Sequence, residues 1–151
     1  MKTLLGVACT VAVLLALAVA AAAGSPPEEE EHAGLVRSTI TDPIEIERDE
    51  PSDVVMLEAV MQPGDSSGWH ADLGPALVAV AAGSITVYRP VDDGCTRNVY
   101  GPGEGFFEAG GDVDLVRNEG TEPALLHATV VLPAGGELEK PAESPGGDCP
   151  E

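Results

Sequence analysis

The sequence is poor in aromatic and basic residues. Its 151 residues include one Trp, two Tyr and two Phe, and 7 Lys and Arg stand against 26 Asp and Glu. The formal net charge of −19 disfavours a nucleic-acid partner or an anionic lipid surface, because a surface of that sign repels phosphate. Such a charge is typical of a solvated surface in an extracellular medium, and a dedicated cationic partner is the alternative. With so few aromatic side chains, Val, Leu, Ala and Ile must fill the interior.

Long apolar runs are also scarce, apart from one at the N-terminus. Lys2 precedes an uncharged stretch from Leu4 to Ala20, and small residues follow at positions 20–23. This order is typical of a secretory signal peptide and predicts removal of residues 1–23. A retained membrane anchor is the alternative, since about 20 apolar residues can span a bilayer.

The chain after this run predicts a tether and one domain. Residues 24–34 are rich in Pro and Glu and lack apolar periodicity, so we expect a disordered acidic tether. Residues 35–151 have the length of one ordinary domain with a single hydrophobic core. The mature protein is therefore expected to be secreted or otherwise extracytoplasmic, without a stable membrane anchor.

Cysteine is scarce as well. Cys9 lies in the apolar run, which leaves Cys95 and Cys149 in the mature chain, both in loop contexts rich in Gly and Asp. An even pair in an oxidising compartment predicts one disulfide that ties the C-terminal tail to a mid-chain loop. Across a loop of about 50 residues, such a bridge stabilises the fold by roughly 4 kcal/mol. A metal-binding pair of thiols is the alternative, although no second Cys or His lies at ligand spacing from either residue.

The remaining chain shows short β-type segments that are separated by turn signals, and none has a helical period over the needed length. Seven segments have this pattern, namely 44–47, 54–61, 76–88 with a hairpin break at Gly83–Ser84, 96–100, 105–108, 113–117 and 125–132. Together with 18 Gly and 13 Pro, they predict an all-β sandwich or barrel. A closed jelly roll would also remove exposed strand edges.

Two polar spots lie on predicted strands. His70 and Asp72 are two residues apart and therefore project from the same face of a strand, while Asp114 lies on a later strand. An imidazole and two carboxylates that converge would bind a divalent metal such as Mn, Fe or Zn. Without a metal, the two carboxylates would repel each other, and the pKa of at least one would rise. Most polar residues on strands lie at the protein surface and have no role in a site.

The spacing around these residues resembles the two sequence motifs of the cupin superfamily. The places of the first motif are filled by Gly64, His70, Asp72, Ala76 and Gly83. The places of the second motif are filled by Gly103, Ala109, Gly111, Asp114 and Asn118. The resemblance covers roughly residues 54–133. The chain is particularly similar to small exported bacterial cupins of the cupin-2 type, which share its Gly-Trp-His stretch, its Cys-Thr-Arg loop and a Cys-Pro near the C-terminus.

This resemblance implies a single-domain cupin jelly-roll β-barrel and, as in the metal-bearing members, a divalent ion held by motif histidines and a glutamate. His70 is the one expected ligand that this chain keeps. Asp72 and Asp114 stand at histidine places, and Ala76 stands at the glutamate place. The retained glycines and Asn118 shape turns and bind nothing. The motif residues that shape the fold are therefore retained, while most of the residues expected to bind the metal are replaced.

Four further residues are weaker candidates. His127 would restore a second nitrogen ligand if it lined the same cavity, but a lone His on a strand is more often hydrogen-bonded or directed outward. Trp69 alternates away from His70 and is expected to pack, although a substrate platform is the alternative. Arg97 and Arg117 are expected to pair with nearby carboxylates, and binding of an anionic substrate is the alternative.

Three functions remain open from the sequence. The first is an exported cupin-domain protein that binds a small molecule or a divalent cation in its barrel. The alternative is a metal-dependent enzyme of the dioxygenase, isomerase or decarboxylase type that uses His70, Asp72 and Asp114. A non-catalytic protein-interaction module is the third. A homodimer is a further option, because cupin relatives often dimerise through sheet edges.

Overall fold

The computed structural model describes residues 34–92 and 94–151, and in these residues the chain forms strands and no helix. The strands are β1 (Thr39–Ile40), β2 (Ser52–Met61), β3 (His70–Asp72), β4 (Ala76–Ala82), β5 (Ile85–Val91), β6 (Gly94–Tyr100), β7 (Glu104–Glu108), β8 (Val113–Arg117), β9 (Ala124–Pro133) and β10 (Glu139–Pro141). The predicted signal peptide, and all of the predicted tether except Gly34, lie outside the described residues. Within the described ranges, no helix has the length and apolar character needed to cross a membrane.

The strands form two five-stranded sheets. The order is β1-β7-β4-β9-β2 in the first sheet and β10-β3-β8-β5-β6 in the second. Strands β1 and β7 pair in parallel, while β9 pairs antiparallel with both β2 and β4. The predicted all-β architecture is confirmed. The break predicted at Gly83–Ser84 is confirmed, since β4 ends at Ala82 and β5 begins at Ile85. The hairpin expected there is wrong, because β4 and β5 pair with other strands in different sheets.

One apolar core joins the inner faces of the two sheets. Alternate residues of β4 are buried, and Val80 is fully enclosed. Val87 of β5 and Phe106 of β7 pack in the same cluster, with further contributions from β8 and β9. Each buried side chain of this size stabilises the fold by about 1.5–3 kcal/mol relative to an exposed one. The core is therefore aliphatic, with one central aromatic ring, as the composition predicts.

A second, smaller cluster lies on the opposite face of β3 and β8. It contains Trp69, Leu115 and Cys149, and the Nε1–H of Trp69 donates to the main-chain oxygen of Pro150 at 2.8 Å. Cys149 is joined to Cys95 by a disulfide with Cα atoms 5.3 Å apart. The disulfide pairing is the one that the sequence predicts, and Trp69 has the predicted packing role.

The retained motif residues shape turns. Gly83 has φ +68°, and a Cβ atom built on it would lie 2.4 Å from the main-chain oxygen of Pro123, so no other residue fits there. Asn118 is fully buried, and its Nδ2 donates to the main-chain oxygens of Met61 at 2.8 Å and Glu122 at 2.9 Å. These two residues hold loops in place, which agrees with the structural role predicted for them.

The strand predicted over residues 44–47 is wrong. This segment has no strand partner, and Ile44 and Ile46 are 49% and 39% exposed. Alternation of Ile and Glu satisfies the pattern of a half-buried strand, but a strand also needs a neighbouring edge to pair with. Two short strands, β1 and β10, form without such a pattern because each lies against the edge of an existing strand.

Candidate functional site

The three residues singled out in the motifs lie together inside the barrel. Strands β3 and β8 are antiparallel neighbours with His70 directly opposite Asp114, and Asp72 projects from the same face of β3. The Nε2 atom of His70 lies 3.6 Å from Oδ1 of Asp114 and 3.9 Å from Oδ1 of Asp72. One ligand atom from each residue lies within 4.8 Å of the others. The pairing of β3 with β8 thus assembles one imidazole and two carboxylates.

These carboxylates are buried and have few partners. Asp114 is fully enclosed, and Asp72 is 7% exposed. Among the described residues, Oδ2 of Asp72 has no hydrogen-bond partner, and the oxygens of Asp114 have none other than the carboxyl of Glu108. A buried polar atom without a partner costs about 1–3 kcal/mol, and more when it is charged. The site therefore favours a proton, a hydrogen-bond donor or a cation at this position.

The ring of His70 is oriented by its own loop. Its Nδ1 atom lies 3.1 Å from the main-chain oxygen of Gly68. Because that carbonyl can only accept, Nδ1 carries the hydrogen, and Nε2 is left facing the two carboxylates. A backbone carbonyl that fixes the tautomer in this way is the usual support of a metal-binding histidine.

A third carboxyl, not singled out in the sequence, lines the same interior. Glu108 ends β7, is 5% exposed, and lies directly opposite Ala76 in the register of β4 and β7. The sequence therefore lacks the motif glutamate at position 76 but has one at the cross-strand position beside it. One signal for this residue is present in the sequence, since Glu108 lies two residues after the core residue Phe106 and so shares its face.

A fourth acidic group comes from β10. Oε2 of Glu139 lies 3.5 Å from Nε2 of His70, and the Glu139 side chain is 55% exposed. Strand β10 pairs with β3, which places Glu139 opposite Asp72. The sequence gives no sign of this residue, because a three-residue strand of Glu, Lys and Pro has no alternation of apolar residues.

The crowding of carboxyls changes their proton affinity. Burial, followed by the nearby charges of Asp114 and Asp72, raises the pKa of Glu108 to about 10. Burial and the charge of Asp114 raise the pKa of Asp72 to about 6. Burial also raises the pKa of Asp114, although Glu108 and His70 act in the opposite direction. At neutral pH, Glu108 is therefore protonated, and the group as a whole carries less negative charge than its composition suggests.

A cavity of about 180 Å³ adjoins these residues. Its polar lining includes His70, Asp72, Glu108 and Glu139. The remaining lining is mostly aliphatic and comes from β2, β4, β7 and β9 of the first sheet, with Leu57, Met61, Val78, Phe106, Leu126 and Val130 as the larger members. One wall of the cavity is thus apolar, and the other carries most of the ionisable groups.

His127 lies away from this cavity. It is on β9, but its Nε2 atom is 3.8 Å from Oε2 of Glu58, and the His127 side chain is 35% exposed. It lines a shallow surface pocket with Ala79 and Thr129 instead. The structure therefore does not bring a second nitrogen donor from this residue to the site.

The two arginines also lie elsewhere. Nη2 of Arg97 is 2.6 Å from Oε2 of Glu119, so Arg97 pairs with a carboxylate as predicted. Nη2 of Arg117 donates to the main-chain oxygen of Glu151 at 2.6 Å. Neither side chain lines the cavity, and neither contributes a positive charge to its interior.

Comparison with known proteins identifies the architecture. No protein-family model matches the sequence. No curated protein matches it either. Among solved structures, a protein with a double-stranded β-helix domain from Klebsiella pneumoniae is 23% identical with a TM-score of 0.51, over 72% of this chain and 90% of that one. The Cnp3 cupin domain of Schizosaccharomyces pombe is 18% identical with a TM-score of 0.49, over 59% of each chain.

Peruvianin-I, a cysteine peptidase from Thevetia peruviana latex, is 22% identical with a TM-score of 0.46, over 51% of this chain and 49% of that one. The chain thus spans about half the length of that protein. At these identities a shared structure indicates the fold and carries no information about activity. The match to the double-stranded β-helix domain and the two-sheet topology confirm the predicted jelly-roll barrel. This chain therefore has the double-stranded β-helix fold.

Proposed function

We propose that the protein binds one divalent cation inside the barrel at His70, Asp72 and Asp114. The observation that carries this proposal is the convergence of three buried donors within 4.8 Å. Among the described residues, Oδ2 of Asp72 lacks a hydrogen-bond partner, and the oxygens of Asp114 meet only the carboxyl of Glu108. A cation would bind one oxygen of each aspartate and would balance the two aspartate charges. Mn, Fe and Zn suit a set of one imidazole and two carboxylates.

The spacing of the donors fits such an ion. Ligand atoms at about 2.0–2.2 Å from a metal lie about 2.8–3.1 Å apart in octahedral geometry and about 3.3–3.6 Å apart in tetrahedral geometry. The two distances from Nε2 of His70 to the aspartate oxygens are 3.6 and 3.9 Å, so these donors are near the tetrahedral spacing and have to move closer together for an octahedral one. Glu139 offers a further oxygen at 3.5 Å from the same nitrogen.

Metal binding is tested by titrating the purified protein, with its disulfide intact, with Mn²⁺, Fe²⁺ and Zn²⁺ by calorimetry, and by measuring its metal content by elemental mass spectrometry. The parent is expected to bind one ion per chain. His70→Ala and Asp114→Asn are each expected to weaken binding at least tenfold, which corresponds to about 1.4 kcal/mol. His127→Ala is the matched control, because it removes an imidazole outside the site.

Two results would contradict the proposal. One is a parent protein with no metal affinity below millimolar. The other is an equal loss of affinity in His127→Ala and His70→Ala, because the imidazole at the site would then have no special role.

A metal-dependent enzyme is the second candidate, and the cavity favours it. A space of about 180 Å³ opens beside Asp72 and His70, which is where a substrate would have to meet the cation. The chain's own residues would orient that substrate through Asp72 and Glu139 and keep bulk water away through the apolar wall. A bound divalent ion would supply Lewis acidity at this position.

We also propose that the protein is exported. The disulfide between Cys95 and Cys149 supports this, because disulfides persist mainly in oxidising compartments. Residues 1–23 would direct export and then be removed. Sequencing the N-terminus of protein recovered outside the cytoplasm tests this, with a start at residue 23 or 24 expected and a start at Met1 contradicting it.

A further inference from the structure

The proposed cation would use only the polar wall of the cavity. The opposite wall is formed by side chains such as Val78, Phe106 and Leu126, and no Lys or Arg is among the described residues that line the space. An apolar cavity of about 150 Å³ in another protein is large enough to hold benzene. The cavity here, of about 180 Å³, has room for a ring of that size and a short substituent.

The polar wall restricts the chemical nature of that substituent. Oδ2 of Asp72 is a buried acceptor without a donor, and Asp72 lines the cavity. In the metal-free protein, a carboxylate on the ligand would meet Asp72 and Glu139, and no Lys or Arg among the described residues lines the cavity to balance them. An ammonium group would be repelled by a divalent cation at the site. A hydroxyl avoids both penalties, because its hydrogen can be donated to Asp72 and its lone pairs can face a cation.

We propose that this cavity binds a small uncharged alcohol or phenol, with its apolar body against the first sheet and its hydroxyl at Asp72 and His70. The body would contain about six to eight carbon atoms, as the comparison with the benzene-sized cavity indicates. This inference rests on the proposed cation only where it excludes an ammonium group. The contact between the hydroxyl and Asp72 does not require a metal.

Three probes with the same ring and different head groups test the proposal, namely benzyl alcohol, benzoate and benzylamine. Each is titrated into methyl-labelled protein, with and without Zn²⁺, and followed by NMR. Benzyl alcohol is expected to shift the methyl signals of Leu126 and Val130, which line the cavity, and to leave that of Ala79 on the outer face unchanged. It is expected to bind at least tenfold more tightly than benzoate in the metal-free protein, and at least tenfold more tightly than benzylamine when Zn²⁺ is present.

Benzoate binding as tightly as the alcohol to the metal-free protein would overturn the proposal, and so would shifts confined to the outer face. A variant that fills the cavity sharpens the test. Ala128 faces the cavity, and Ala79 lies on the outer side of the same sheet. Ala128→Leu is expected to weaken benzyl alcohol at least tenfold, while Ala79→Leu leaves it unchanged. If Ala128→Leu does not fold, Ala59→Val replaces it, because Ala59 also lines the cavity.

Zn²⁺ affinity measured on the same samples separates this proposal from the proposed function. Protein that binds Zn²⁺ but not benzyl alcohol overturns the ligand class and leaves the cation site intact. Protein that binds benzyl alcohol in the cavity but no metal supports the ligand class and removes the cation site.

Discussion

The two faces of strands β3 and β8 differ sharply in how well their buried groups are satisfied. On the outer face, Trp69 and Leu115 pack with Cys149, and the indole N–H has a main-chain acceptor. On the inner face, at the adjacent position of each chain segment, His70 and Asp114 lie together, and Oδ2 of the nearby Asp72 lacks a hydrogen-bond partner among the described residues. The same two strands thus carry a well-packed face and an electrostatically strained face.

This difference indicates that the outer face stabilises the fold, while the inner face carries the side chains of the candidate site. A cluster of buried carboxyls destabilises the fold, and it persists only where surrounding contacts hold it in place. The disulfide and the Trp69 cluster lie directly behind the strands that carry the donors. The outer face therefore offsets part of the cost of the inner face and fixes the positions of its side chains.

Removing the disulfide tests how much the outer face stabilises the fold. This change is expected to have the largest effect on the free energy of unfolding. The double substitution Cys95→Ala with Cys149→Ala should lower the free energy of unfolding by about 2–5 kcal/mol, because the unfolded chain regains the freedom of a long loop. Guanidinium denaturation of the oxidised parent and of the variant measures this. A loss smaller than about 1 kcal/mol would mean that the tail contributes little to the outer face.

Neutralising a carboxylate on the inner face is expected to act in the opposite direction. In metal-free protein at pH 8, Asp114→Asn should raise the free energy of unfolding by about 1–3 kcal/mol, because it removes a charge whose burial outweighs the favourable contacts of Asp114 with Glu108 and His70. The same variant should lose the extra stability that the parent gains from added Zn²⁺. Denaturation curves with and without the metal measure both effects. A metal-free variant less stable than the parent would contradict the strain assigned to Asp114.

The pH dependence of stability offers a test without substitutions. Folding raises the pKa of Asp72 from 3.8 to about 6 and that of Glu108 from 4.5 to about 10, so the folded state binds these protons more tightly than the unfolded state. The contribution of these groups is therefore fully present below pH 4 and is lost as the pH rises through the folded values. Metal-free protein should be less stable at pH 8 than at pH 5.

Zn²⁺ should oppose this trend. Protons compete with the metal for the carboxylates, so stabilisation by Zn²⁺ should be greater at pH 8 than at pH 5. Urea denaturation at both pH values, with and without the metal, measures the two trends together. Metal-free stability that rises between pH 5 and pH 8 would contradict the raised pKa values.

Glu108→Gln is expected to have the smallest effect on stability. Because Glu108 is protonated at neutral pH, the change replaces one neutral group with another of similar shape, and the free energy of unfolding at pH 7 should change by less than about 1 kcal/mol. Glu108→Ala provides the contrast, since it also removes buried volume. Thermal denaturation of both variants measures this, and a large loss in Glu108→Gln would show that this carboxyl is ionised in the folded protein.

The sequence predicts much of the fold and part of the site. Alternation finds the long strands, and the spacing of His70 and Asp72 places them on one face of β3. Asp114 is placed with them through the motif resemblance, and the β3–β8 register agrees. Glu108 is missed because its position beside the donors depends on which strand lies next to β4, and this is a property of the folded sheet.

The short elements set the limit of this prediction. Glu139 reaches His70 from a three-residue strand that is stabilised by its neighbour and by no pattern of its own. The segment at 44–47 shows the converse case, because Ile and Glu alternate there but no neighbouring strand edge is available for the segment to pair with. A local pattern thus predicts a strand only where the tertiary structure supplies a partner.

The disulfide also makes the second half of the barrel a covalent ring. Cys95 and Cys149 are 54 positions apart, and the strands that carry Glu108, Asp114 and Glu139 all lie between them. A protease that cuts at an exposed turn such as Gly135–Gly136 would therefore leave both fragments linked. The nicked protein would migrate as one species until it is reduced, and the acidic groups would stay on a single molecule after the main chain is broken.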